Sequence, residues 1–177
     1  WRRERFDIVM VTETWAPEDK IVAAVRELGG GGGGRDGWRV FAASPPVEDA
    51  NQEPPQYKTH TCGVAIFVRE SLIGSSIHVH AGDTWRPAPG EADSPAAGRY
   101  LSLRITWHDV SAACRELRLT CCYFPNGAAH QLPFISSTLA PLLDGAEGSE
   151  GEVEHIVAGD FNFTENPRMD RARREAN

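Results

Sequence analysis

Lysine is almost missing: Lys20 and Lys58 stand alone in a chain of 177 residues whose other fixed positive charges are all arginine. Arginine's planar fork suits phosphate recognition better than a compact ammonium does, although genome base composition alone can produce the same bias. Cations are also outnumbered, 18 against 25 Asp and Glu, for a formal charge of -7. That balance excludes a protein that grips nucleic acid with its whole surface, since neutralising phosphates takes clustered Lys and Arg; a small local basic site stays open. No apolar stretch approaches the roughly 18 residues of a membrane span. The opening residues, Trp1 to Arg5, have no apolar segment resembling a signal peptide, so an intracellular protein without a membrane partner is expected. Cys62, Cys114, Cys121 and Cys122 lack C-x-x-C spacing, and three of them fall in apolar runs, which predicts reduced core thiols. There is no internal repeat. The chain opens on a charged segment directly before a strong strand, without an initiator Met, and is expected to begin in mid-domain.

What is present reads as one domain of alternating short elements. Asp7 to Glu13 is an apolar, β-branched run suited to a strand buried on both faces, with Glu13 at its polar end. Pro17, Glu18 and Asp19 start a helix whose apolar positions, Ile21, Val22, Val25 and Leu28, recur at helical spacing until six glycines, 29–34, end it. Those glycines match G-x-G-x-x-G trivially, but they follow a helix rather than a strand and read as linker. Trp38 to Ala43, Cys62 to Val68 and Ser76 to His80 are predicted strands, the last two separated by a short turn around Gly74; 44–60 and 81–98 are loops with little to bury. From Arg99 to Trp107, Leu101, Leu103, Ile105 and Trp107 alternate onto one face, and Leu117, Leu119, Cys121 and Tyr123 repeat the pattern. His130 to Leu143 has helical length, confined by Pro133 and Pro141, and 144–152 is an acidic, glycine-rich loop. His155 to Ala158 is a short strand leading into Gly159-Asp160-Phe161-Asn162, and an Arg-rich tail follows. Sheet packed on sheet with helices outside is the simplest solution, an α/β (α+β) sandwich of four layers.

Two features carry possible chemistry. Glu13 ends one buried strand, and Asp160 and Asn162 end another; hard oxygen ligands from two strand ends are what Mg²⁺ needs. The plainer alternative is a capped, solvated strand end, because Asp and Asn are ordinary turn residues.

Read in order, five segments resemble the endonuclease/exonuclease/phosphatase family: Asp7-Ile-Val-Met-Val-Thr-Glu-Thr-Trp15, Gly63-Val-Ala-Ile-Phe67, Gly98-Arg-Tyr-Leu-Ser-Leu103, Tyr123-Phe-Pro-Asn126 and Gly159-Asp-Phe-Asn162. Asn166-Pro-Arg-Met-Asp-Arg171 resembles the Asp-Arg step that follows this turn in the endonucleases of non-LTR (LINE-type) retrotransposons. The resemblance implies a truncated DNase I-like sandwich, with 1–177 a partial domain. It implies metal-dependent phosphodiester hydrolysis, with DNA nicking as the reaction, DNA as partner, no obligate protein partner and the nucleus as location. Glu13 would ligate Mg²⁺, or Mn²⁺, that polarises the scissile phosphate. Asp160 would orient or deprotonate the attacking water and Asn162 would hold the phosphate or that water in line. Tyr123 and Asn126 would contact phosphate oxygens as charge develops. Arg171 would contact the DNA backbone, with Arg168, Arg173 and Arg174 extending a basic patch, unless that tail is simply a solvated helical face.

The family's opening asparagine strand and its closing Ser-Asp-His segment are not in this chain, so the isolated chain is expected to cleave poorly and its second sheet to be short of strands. His60, His108, His130 and His155 read as loop or helix residues, and His78 and His80 as one strand face, without a zinc site. Two other readings remain: a phosphatase or phosphodiesterase of the same fold acting on inositol phosphate, sphingomyelin or RNA, and a non-catalytic remnant. The geometry expected is that Glu13 and Asp160 converge from the same end of neighbouring strands, with Tyr123 and Asn126 facing the same pocket rather than the core.

Overall fold

A computed structural model describes residues 6–14, 16, 18–28, 37–44, 63–74, 76–84, 98–111, 113–126, 128–144 and 153–162. The glycine run, most of the two proline-rich loops, Cys62, His60, the acidic loop and the tail with Arg168, Arg171, Arg173 and Arg174 lie outside them. The described residues form two sheets. The first has order β1-β3-β2, built from β1 Ile8–Thr12, β2 Trp38–Ala43 and β3 Val64–Arg69, with β3 antiparallel to both neighbours. The second has order β4-β5-β6-β7, from β4 Ile77–Thr84, β5 Tyr100–His108, β6 Cys114–Tyr123 and β7 Val153–Asp160. In it β6 and β7 alone run parallel, which requires the helical crossover that joins them.

Alternation along the strands builds the layers. Val64, Ile66 and Val68 from β3 meet Leu101, Leu103, Ile105, Leu119, Cys121 and Tyr123 between the sheets, as the period of two in β5 and β6 dictates. The opposite face of β3, Ala65 and Phe67, packs under Ile21 of α1 Glu18–Leu28. The opposite face of β5 and β6, Tyr100 and Cys122, packs with Phe124 under Phe134 and Leu139. The order is helix, sheet, sheet, helix: a four-layer α/β sandwich, as the sequence pattern predicts.

Several local expectations are corrected. Both faces of β1 meet core clusters, Ile8 and Met10 on one side and Val9 and Val11 on the other, but the strand is only half-buried because it edges its sheet among the described residues. The turn around Gly74 is short, as expected, with Leu72 and Ile73 N–H bonding back to the Arg69 and Glu70 carbonyls, and through it the chain leaves one sheet for the other. β4 extends through Thr84, and Gly98 is buried at positive φ, so 81–98 is not wholly outside the core. His108 ends β5 rather than lying in a loop, His155 lies in β7, within the strand expected from 155 to 158, and His78 and His80 do share a face. Cys121 and Cys122 are buried, their thiols pushed up to about 12 chiefly by burial, but Cys114 is an exposed free thiol because it opens β6 at the hairpin end.

The predicted helix starts at Ala128 and runs through both prolines as α2 Ala128–Phe134, a π-helical turn Ile135–Leu139 and α3 Ala140–Asp144. Proline supplies no N–H to the helical ladder. The register widens here, so that Ala140 N–H bonds to the Ile135 carbonyl while Ser136 and Ser137 hydroxyls donate to the Pro133 carbonyl.

Gly159 is required by close packing as well as by φ +147: a Cβ there would stand 1.8 Å from the Cys122 carbonyl oxygen on β6. Gly159→Ala is therefore predicted to lower unfolding free energy by more than about 2 kcal/mol, read by chemical denaturation; a near-neutral variant would contradict this packing. The β5–β6 hairpin is closed by Asp109, whose carboxylate accepts Ser111 N–H, Ala113 N–H and Arg115 Nε. Bonds from the Ser111 and Arg115 side chains, foremost, lower its pKa from 3.8 to about 2. A depressed carboxylate contributes stability that is present above its unfolded pKa and lost as pH falls through the folded one. Asp109→Asn should flatten the fall in stability between about pH 4 and pH 2; an unchanged slope would show that the carboxylate contributes nothing there.

Candidate active site

Two strand ends from different sheets meet through one tyrosine. β1 delivers Glu13 one residue past its end, held by the bond from Thr14 N–H to the Gly63 carbonyl. In the other sheet Tyr123 closes β6 and lies opposite Asp160, which closes β7. The Tyr123 hydroxyl donates to Glu13 Oε1 at 2.7 Å, tying positions 110 residues apart across the interface between the sheets. Glu13 and Asp160 thus reach the same end of the sandwich, but not from neighbouring strands as expected: β1 belongs to one sheet, β7 to the other. Tyr123 also departs from expectation in being both a core and a site residue. The residue is 4% exposed and packs in the inter-sheet cluster, while its hydroxyl meets the carboxylate.

The Gly159-Asp160-Phe161-Asn162 turn is locked to the segment after β6. Phe124 N–H bonds to the Asp160 carbonyl at 2.8 Å, Asn162 Nδ2 donates to the Phe124 carbonyl at 2.6 Å, and Asn162 N–H donates to Asp160 Oδ1 at 2.9 Å. Phe161 stacks edge-on against Phe124, anchoring the turn in the apolar layer beneath the helix. Among the described residues, the non-glycine positions with positive φ are Glu13, at 55°, and Asn162, at 50°. Left-handed backbone at non-glycine residues is uncommon, and such geometry concentrates at functional sites.

The electrostatics keep Tyr123 a phenol. Burial, and then the hydrogen bond to Glu13, raise its pKa above the ordinary value, against opposing contributions from Asn162 and the Arg99 guanidinium. Arg99 sits over the Tyr123 ring, 5.2 Å from its centroid, and accepts Tyr123 N–H at its carbonyl.

Of the residues expected at the site, the structure brings together Glu13, Tyr123, Asp160 and Asn162. Asn126 is exposed two residues beyond Phe124, and among the described residues no hydrogen bond joins it to those four. Arg171 lies outside the described residues. Three residues near this end were not singled out from the sequence. Among the described residues, a buried guanidinium nitrogen of Arg99 and the Thr14 hydroxyl meet no hydrogen-bond partner, and Gln131 is a buried amide on the inner face of α2. Gln131 had a legible signal, a polar residue three and eight positions before Phe134 and Leu139 on the buried helical face. Arg99 and Thr14 lie within the family-like segments 98–103 and 7–15, but nothing in those segments gives either residue a role of its own.

Among the described residues no group of three or more His, Cys, Asp and Glu gathers as a metal cage. The donor set instead fits the habit of Mg²⁺, which takes one or two carboxylates and completes its shell with water and substrate oxygens.

A search of curated proteins returns no match. Among solved structures, the human nocturnin catalytic domain with bound sulfate is similar at 15% identity and a TM-score of 0.45, over 93% of this chain and 54% of that one. The chain therefore spans about half the length of the structure it matches. The family model described as endonuclease/exonuclease/phosphatase matches residues 2–176. With that match over almost every residue and its strand-end motifs gathered at one end of a four-layer sandwich, the chain belongs to the endonuclease/exonuclease/phosphatase family.

Proposed function

We propose that this chain carries the core of a Mg²⁺-dependent phosphodiesterase that nicks DNA in the manner of retrotransposon-type endonucleases. The family's chemistry, metal-dependent hydrolysis of phosphodiester bonds, follows from membership. The observation that supports assigning it to these residues is the Tyr123–Glu13 hydrogen bond, which draws one sheet's carboxylate to the strand end that carries Asp160. DNA as substrate rests on the Asp170-Arg171 step after the Asn162 turn.

In this reading Glu13 holds the metal, Mg²⁺ or Mn²⁺, and the metal supplies Lewis-acid polarisation of the phosphate when bound. The chain's own residues do the rest. Asp160, exposed at the end of β7, orients or takes a proton from the attacking water, and the Asn162 amide, which spends one of its two N–H groups on the Phe124 carbonyl, has its second N–H to hold water or phosphate in line. Tyr123, kept protonated, is a neutral donor that can turn from carboxylate to phosphate oxygen as negative charge develops. Asn126, exposed on the adjoining segment, is available as a second neutral donor, and Arg171 contacts the DNA backbone.

Mn²⁺ affinity of the chain, measured by titration calorimetry, should weaken at least about tenfold in Glu13→Gln. Unchanged affinity would remove Glu13 from the metal site. In the protein that carries this chain in its native reading frame, conversion of supercoiled plasmid to nicked circle with Mg²⁺ should fall by about 10²–10³ in Asp160→Asn, with Tyr123→Phe also impaired. Inert plasmid alongside phosphate release from an inositol phosphate or lipid, or shortening of RNA, would overturn the DNA reading.

A further inference from the structure

The roles assigned above leave unused a buried amide in the helix that covers the second sheet. Gln131 in α2 is 9% exposed and shares its helical face with Phe134. Its Nε2 donates to the Pro125 carbonyl at 3.1 Å and to the Asn162 carbonyl at 3.2 Å. A primary amide nitrogen has two hydrogens, so both are spent on these bonds. Both partners are carbonyl acceptors, so only the orientation with nitrogen facing them satisfies the contact, which settles the amide's orientation chemically.

The two carbonyls belong to the two segments that carry the candidate site. Pro125 directly precedes Asn126, and Asn162 closes the turn that begins at Gly159 with Asp160. Asn162 also holds a left-handed backbone, which persists only where its surroundings over-determine it. The Asn162 side chain and N–H are already committed to Phe124 and Asp160, and the Gln131 amide secures the remaining carbonyl. An apolar side chain of similar volume would fill the same space; what it would lack is the double donor.

We infer that Gln131 is a positioning residue that clips the Pro125-Asn126 segment to the Asp160–Asn162 turn and sets the spacing between them. It touches neither metal nor substrate. The inference rests on the proposed reading that these two segments form one phosphodiester-hydrolysing site.

Gln131→Met keeps volume and removes both donors. In the protein that nicks plasmid, its kcat should fall by about 10- to 100-fold with KM nearly unchanged, because misplacement of reacting groups costs rate rather than substrate affinity. Gln131→Glu distinguishes positioning from packing: a glutamic acid facing two carbonyls donates one hydrogen bond only when protonated, and burial beside acceptors favours that form. Its activity relative to Gln131→Met at the same pH should therefore rise as pH falls. A merely structural role would leave that ratio flat, and wild-type kcat in Gln131→Met would overturn the inference.

Amide exchange separates failure of this inference from failure of the proposed function. Phe124 N–H bonds to the Asp160 carbonyl beside the clip, while Leu119 and Cys121 report on the interior of β6. Faster exchange at Phe124 by at least about tenfold in Gln131→Met, with Leu119 and Cys121 unchanged, supports the clip even if the wild-type protein hydrolyses no phosphodiester. Unchanged exchange at all three would overturn it whatever the activity.

Discussion

A hydrogen bond from a core tyrosine to a surface carboxylate organises this molecule. Tyr123 Oη reaches Glu13 from the opposite sheet, and neither residue could do so unless the two sheets were packed with their strand ends level. The phenol ring is therefore a spacer as well as a donor: its body lies among Leu119, Cys121 and Leu101, and its tip is where the apolar layer gives way to polar groups. Burial keeps the phenol protonated, so the contact is a neutral donor on a carboxylate rather than two competing anions. A change of inter-sheet packing is thereby a change in the geometry of the candidate site.

The other side of the site depends on backbone proximity. β7 can lie against β6 at Cys122 only because Gly159 has no side chain, and this close approach puts Asp160 beside Tyr123 in a parallel pair. From there the chain turns through Asn162 in a left-handed conformation, held by Phe124 above and Gln131 behind. Left-handed non-glycine backbone at both Glu13 and Asn162 means that each strand ends in a conformation ordinary sequences avoid. Local strain of this kind is retained where it aims a side chain.

Much of the architecture was legible in the residues because it is periodic. Leu101, Leu103 and Ile105 with Leu119, Cys121 and Tyr123 announced the inter-sheet layer by simple alternation, and the Ile21–Val25–Leu28 spacing announced α1. The site candidates were legible as strand ends. Their pairing was not, because no local pattern specifies which sheet a strand joins: the turn between β3 and β4 is legible as short, but not as a crossing between layers. Cys114 is exposed where a core thiol is expected because, unlike Cys121 and Cys122, it stands beside Arg115 and Glu116 at the hairpin end of β6. Helix continuity through Pro133 and Pro141 was hidden because the widened turn that accommodates them depends on tertiary packing of Phe134 and Leu139.

The proposed function requires residues from both sheets to serve one metal-phosphate site. Backbone amide signals in the presence of sub-stoichiometric Mn²⁺ test it most directly, because a bound paramagnetic ion broadens resonances according to distance. Thr14, from the first sheet's strand end, and Phe124 and Asn162, from the second's, should broaden together at the same Mn²⁺ concentration, and Glu13→Gln should abolish the effect at all three. Broadening confined to one strand end, or persisting at Phe124 and Asn162 in Glu13→Gln, would contradict a shared site.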